Sequence, residues 1–289
     1  MTTDPRDRQE DGRAGRAFLA AMPDAVTRQR DILAAMLDVI DNEPGLRWFE
    51  LGCSLGRDAG DELSDIDCAV GVADDRWEDA LALGERLSAT GGRAVDEMRQ
   101  VFPGPGGATC WHVFTLYDDG AQLSLVLMPA SWRAGLRPGS VALHDPDAQL
   151  ATLVRPRNAD ADAATLHEWA SLGWIALGDV AKYLDRGSVW EAYQRLGQAR
   201  SEVFKLWAAS QPVDFPEYGL TAILDTRGAT LPPEIDATIS TLDPADLRRA
   251  TIVTARALTA AVERLAPFLD EAEVAPPDGL RDWVLRRIG

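Results

Sequence analysis

The sequence predicts an α+β protein in two parts, a sheet-bearing half followed by a helical half. Three observations predict it. The runs with strand character all lie in the first half of the chain, at Leu46–Leu51, Ile66–Val72, 94–102, Thr109–Tyr117 and 122–128. They are rich in apolar, aromatic and β-branched residues and are bounded by turn residues. From Ala164 onward, apolar residues recur at helical spacing and no good strand run occurs. Between the first two strand candidates stands a small loop, Gly52-Cys53-Ser54-Leu55-Gly56-Arg57, followed by Ser64-Asp65-Ile66-Asp67.

The elements follow in order. Residues 1–15 are charged and lack apolar periodicity, so a disordered tail is expected. Over 24–40, Val26, Ile32, Leu33, Met36, Leu37 and Ile40 recur at helical spacing, and Asn42-Glu43-Pro44-Gly45 ends the helix. The first two strands flank the Gly52–Arg57 loop. Residues 77–88 read as a helix stopped by Thr90-Gly91-Gly92. Of the next three strands, Pro103-Gly104-Pro105-Gly106-Gly107 separates the first two, and Asp118-Asp119-Gly120 turns the second into the third as a hairpin. Residues 130–160 mix Pro, Gly and Arg with short apolar patches and read as a linker region, with 150–154 a candidate helix.

In the helical half, 165–184 carries Leu166, Trp169, Trp174, Leu177 and Val180 on one side. Ser188 is placed to cap a helix over 189–209, and Asp243 to cap one at Pro244–Leu265, with Pro244 in its first turn. Asp278–Ile288 forms a short last helix. Short loops favour an antiparallel bundle. The expected organisation is a tail over 1–15, a sheet domain over 16–135, a linker over 136–160 and a helical domain over 161–289.

At 289 residues the chain has ample core for one large or two modest domains. Its 46% hydrophobic and 26% charged content is that of an ordinary globular protein. A net charge of −17 argues against nucleic acid as substrate, because phosphate contacts need a basic face. It suits a small cationic substrate steered by an acidic surface. Cys53, Cys68 and Cys110 cannot all pair with one another and lack metal-ligand spacing, which points to a reducing cytoplasm. No apolar run approaches the ~18 residues of a membrane span, and the N-terminus is polar, so neither a span nor a signal peptide is expected. The oligomeric state stays open.

The chemistry-bearing residues gather at the loop and the paired acids. Side chains alternate along a strand, so Asp65 and Asp67 point to one face. Two ionised carboxylates that close repel, and such a pair calls for a hard cation. A small loop rich in backbone N–H groups beside them suits a polyphosphate. Together they point to a metal–nucleotide site. The competing reading makes the acids mere turn caps and the glycines a bend, but it leaves the agreement of many positions unexplained.

The string LGCSLGRDAGDELSDIDCAVGV over residues 51–72 resembles the nucleotidyltransferase superfamily of the DNA polymerase beta type, and within it the aminoglycoside adenylyltransferase-like branch. The family pattern is Gly-Ser on a short loop, roughly ten residues of turn and helix start, then Asp-x-Asp. Here it stands as Cys53-Ser54 and Asp65-Ile66-Asp67. The resemblance implies a mixed sheet with helices on one side and a C-terminal helical domain closing over the active cleft. It also implies transfer of a nucleoside monophosphate from an NTP, with ATP the first choice, to a hydroxyl of a small acceptor of aminoglycoside type, with Mg2+ as cofactor. On it, Asp65 and Asp67 are the catalytic metal ligands, while Gly52, Cys53, Ser54, Arg57 and Ser64 hold the nucleotide.

Two positions depart from that pattern. The family carries a third acid on the strand facing the pair, and here that strand reads Gln122-Leu123-Ser124-Leu125, with Ser124 at the acid position. A hydroxyl is a poor metal ligand and no general base. The loop's second glycine is replaced by Asp58. These departures give the alternative reading, a nucleotide-binding pseudoenzyme or regulator of the same fold.

In the helical half, Lys182 and Lys205 are the chain's two lysines, and Lys182 is the candidate phosphate contact, set against a simple solvated lysine. Glu168, Asp179, Glu191 and Glu202 are candidates to supply the missing base or to recognise an amine. Trp169, Trp174, Trp190 and Trp207 read as core, with one of them available to stack on adenine. His112, His144 and His167 are too scattered for a metal cluster and read as structural or surface residues.

Overall fold

The computed structural model describes residues 5–104, 109–155, 159–265 and 278–288. The chain is α+β, with a mixed six-stranded sheet in its first part and helices in its second. It separates into two compact units, Met1–Arg155 and Pro156–Gly289.

In the first unit, helices α1 (Pro5–Ala21) and α2 (Thr27–Asp41) precede strand β1 (Leu46–Leu51). A one-turn helix α3 (Cys53–Gly56) leads towards β2 (Ile66–Val72), followed by α4 (Ala80–Ser88). Strands β3 (Ala94–Pro103), β4 (Thr109–Tyr117), β5 (Gln122–Pro129) and β6 (Val141–His144) complete the sheet. Their order is β3-β4-β5-β2-β1-β6, and β2 with β5 is the parallel pair.

Alternation along the strands divides the sheet into a dry face and an open one. Phe49, Leu51, Ile66, Val70, Val113, Leu123, Leu125 and Leu127 are buried on the first, against Ile32, Leu33, Met36 and Leu37 of α2 and Leu83 and Leu87 of α4. Each such leucine or isoleucine contributes on the order of 1.5–3 kcal/mol by leaving water. The opposite face carries a small second cluster of Trp48, Ala130 and Leu150. The Trp48 indole lies over Gly71, where any Cβ would collide with it, and its Nε1 donates to the Ala130 carbonyl at 3.2 Å. Glu50, on the same face, is buried in an ion pair with Arg133. These contacts pin the segment after β5 to the β1 side of the sheet. The β2-β5-β4 side keeps half-exposed side chains.

The second unit packs α5 (Ala163–Asp185), α6 (Val189–Ala209), α7 (Leu220–Asp225), α8 (Pro244–Leu265) and α9 (Asp278–Ile288) around Trp174, Leu177, Leu196, Val203, Leu206 and Leu258. Gly173 lets α5 approach its neighbours: a Cβ there would meet the Leu258 side chain at 3.0 Å. Gly187, at φ 73°, makes the tight turn from α5 to α6. Asp162 caps α5 by accepting from the Thr165 amide at 2.8 Å, and Asp243 caps α8 by accepting from the Ala245 and Asp246 amides.

Several expectations need correction. Residues 5–15, expected in a disordered tail, belong to helix α1. The region expected as a linker contains β6, which pairs with β1 and extends the sheet past residue 135. These two missed elements pack on each other, because Gly15 brings α1 onto the Leu143 backbone so closely that no side chain fits between. Residues 150–154 are not helical; Leu153 bridges to Leu136. Ser188 precedes α6 without a side-chain capping bond. Residues 77–79 form part of a 3-10 turn before α4. The expected glycine-proline loop after β3 lies mostly outside the described residues.

Candidate active site

The site begins where β1 ends. Gly52 donates its amide to the Asp67 carbonyl at 2.8 Å, which ties the loop to β2 beside the second acid. The chain then turns sharply at Cys53, whose φ of 51° lies in the left-handed region. That conformation is strained for a cysteine and free for a glycine. Asp58, at the far end of the turn, also sits left-handed at φ 55°, a conformation aspartate tolerates better than most residues, and it is exposed. Gly56 between them is required sterically, because a Cβ would come 2.6 Å from the Leu51 oxygen and 2.8 Å from the Gly139 oxygen. The Arg57 side chain lies across Gly139. The loop is therefore a compact turn wedged between β1 and the segment before β6.

Burial alternates along the acids' strand. Asp65 is exposed and Asp67 half-buried, while Ile66, Cys68 and Val70 are buried in the core. The two carboxylates thus share the open face. Partial burial and then the charge of Asp67 raise the Asp65 carboxyl above its ordinary value. Burial in the core and then the charge of Asp67 push the Cys68 thiol well up, so that cysteine is a core residue. Ser64 closes the turn ahead of the acids: its Oγ accepts from the Asp61 amide at 2.9 Å, and its carbonyl accepts from buried Gln29 at 2.9 Å. Its hydroxyl is engaged in shaping the approach to Asp65.

The parallel pairing sets Ser124 of β5 directly beside Asp67, and the antiparallel pairing sets Phe114 of β4 beside Ser124. Leu123, Leu125 and Leu127 are fully buried, so Ser124 faces the open side as its position in the strand predicts. Its hydroxyl lies 2.9 Å from Nε2 of half-buried His112. Among the described residues no group of three His, Cys, Asp or Glu side chains stands ready for a metal. The acids remain a pair. Two carboxylate oxygen donors on one face still fit a hard divalent cation whose other ligands come from phosphate and water.

The first unit therefore brings together Gly52, Cys53, Ser54, Arg57, Ser64, Asp65 and Asp67. Lys182 belongs to the second unit, where it pairs with Asp179 and lies 4.6 Å from the Tyr183 ring centre. Trp169, Trp174 and Trp207 are core residues of that unit, whereas Trp190 is 69% exposed and packs edge-on against Tyr193. His144 is buried within 3.3 Å of Asp41. His112, read from the sequence as a structural or surface residue, makes a contact with Ser124 that the sequence alone did not indicate. Its signal was the hairpin register, which places it across from Val126 and diagonal to Ser124.

No protein-family model matches the sequence, and no curated protein does. Among solved structures the chain is similar to an aminoglycoside 6-adenyltransferase from Bacillus subtilis, with 15% identity and a TM-score of 0.39 over 91% of this chain and 97% of that one. It is also similar to a nucleotidyltransferase-like protein from Exiguobacterium sibiricum, with 13% identity and a TM-score of 0.34 over 80% of this chain and 74% of that one.

Proposed function

We propose that this protein is a nucleotidyltransferase that moves a nucleoside monophosphate from an NTP, ATP in the first instance, to a hydroxyl of a small cationic acceptor. One observation carries this reading. Two carboxylates share an open sheet face beside a tight turn, and that turn holds Cys53 and Asp58 in the backbone conformation that glycine adopts without strain. Asp65 and Asp67 would hold Mg2+ there. With the nucleotide bound, the cation would neutralise charge developing on the transferred phosphoryl group. Ser54 and the backbone amides of the turn would orient the outer phosphates, with Arg57 beside them. On this reading acids of the helical half such as Glu168 and Glu191 suit an amine-bearing substrate. Among the described residues no helix is long and apolar enough to cross a membrane.

Asp65→Asn and Asp67→Asn test the assignment. Each is expected to abolish Mg2+-dependent ATP binding, measured by calorimetry, while the protein stays folded. Undiminished ATP–Mg2+ binding by both variants would sink it. A second reading, a nucleotide-binding regulator without turnover, is favoured by the serine at position 124. Labelled ATP separates the two: transfer of label to a hydroxylated amine supports the enzyme, and tight binding without transfer supports the regulator.

A further inference from the structure

The missing third acid leaves a question of where the acceptor's proton goes. Beside Asp67 the open face sets an imidazole within hydrogen-bonding distance of a hydroxyl. Ser124 is the register neighbour of Asp67 across the parallel pair, and His112 Nε2 lies 2.9 Å from its Oγ. Phe114 sits beside Ser124 and Val126 beside His112, both half-buried, so the pair lies on a partly apolar floor. Gln100 of β3 is the register neighbour of His112 on its other side. The charged groups on this face of the flanking strands are Asp96 on β3 and the two acids at β2. Glu50 on β1 is already paired with Arg133. Of the arginines near the sheet, Arg133 on this face is held by Glu50, and Arg99 pairs with Glu85 and Glu97 on the other face.

We propose that Ser124 and His112 form the proton-accepting couple of the site, standing where the family pattern has a carboxylate. This rests on the nucleotidyl-transfer reading. In the tautomer with the proton on Nδ1, Nε2 accepts from Ser124 Oγ. The acceptor hydroxyl gives its proton to Ser124 Oγ as Ser124 passes its own to His112 Nε2. The freed oxygen forms a bond to the α-phosphorus, and the bond from that phosphorus to the bridging oxygen breaks. Pyrophosphate leaves with the electron pair, and the imidazolium returns its proton to water. A hydroxyl alone is no base, but a hydroxyl backed by an imidazole is an ordinary general-base arrangement.

The experiment follows pyrophosphate release from ATP and Mg2+ by the full-length protein across pH, with a hydroxylated amine or with water as acceptor. ATP binding is measured in parallel. His112→Gln is expected to keep ATP affinity, to lower kcat about 10²–10⁴-fold with KM little changed, and to lose the acid limb of the wild-type pH profile. Ser124→Ala is expected to lower kcat, with Ser124→Thr partly restoring it. Added imidazole is expected to recover activity in His112→Ala. If His112→Gln does not fold, this rescue, read against unrescued Asp67→Asn, decides the matter. Wild-type kcat in His112→Gln, or an unchanged acid limb, overturns the proposal while leaving the parent reading intact. Absence of pyrophosphate release from the wild-type protein, together with ATP binding that does not need Asp65 or Asp67, overturns both.

Discussion

The two faces of the six-stranded sheet differ by a single step along each strand. Leu123 and Leu125 are sealed against α2 and α4, while Ser124 between them meets Asp67 and His112 on the open side. Cys68 is a core residue, and its neighbour Asp67 is a candidate metal ligand. The main core thus lies on one side and the candidate site on the other. Adjacent residues should therefore respond to substitution in different ways.

The sharpest contrast lies within β5. Leu125→Ala should cost about 3 kcal/mol in a denaturant titration, because its neighbours cannot fully close the cavity. Ser124→Asp, one residue earlier, should change stability by less than about 1 kcal/mol and tighten Mg2+ binding in a metal titration. If Ser124→Asp unfolds the protein, the division of faces fails at its centre.

The loop sharpens the comparison at the level of the backbone. Gly56→Ala forces a methyl group between the Leu51 and Gly139 carbonyl oxygens and should cost about 1–3 kcal/mol by thermal or chemical unfolding. Cys53→Gly acts in the other direction. It removes left-handed strain but loosens the unfolded chain, so a net change within about 1 kcal/mol is expected, with ATP binding retained. A large loss at Cys53→Gly would mean that the thiol itself holds the turn.

The smallest effect concerns Asp65. An acid whose pKa is higher in the folded than in the unfolded state destabilises the fold wherever both states are ionised. That penalty fades as pH falls through the folded value. In protein freed of divalent cations, Asp65→Asn should raise Tm slightly near neutral pH and lose that advantage below about pH 4. A variant that melts lower than wild type at pH 7 would show that Asp65 makes a stabilising contact.

Most of this architecture was legible because its elements carry their own periodicity. β1, β2, β4, α6, α8 and α9 have the bounds that apolar spacing, turns and caps indicate. The paired acids and the turn were legible for a related reason: they lie within one continuous string. The elements that escaped lack a private signal. α1 is charged through its first turns, and β6 is four residues long among prolines and glycines. Each is made stable by the other through Gly15 and Leu143, a contact that no local pattern encodes. His112 escaped because its partner lies on another strand, so its meaning depends on register.

The parallel pairing of β2 with β5 also has a kinetic consequence. The β4–β5 hairpin joins neighbours in sequence through a turn at Asp118–Gly120, whereas the Asp67–Ser124 contact closes a loop that spans α4, β3 and β4. Closing a long loop is slow, because its entropy is lost before its contacts form. The hairpin should therefore assemble early and the β2–β5 seam late. Asp67 meets Ser124 at that seam, so a partly folded chain should hold the His112–Ser124 contact before Asp67 joins it.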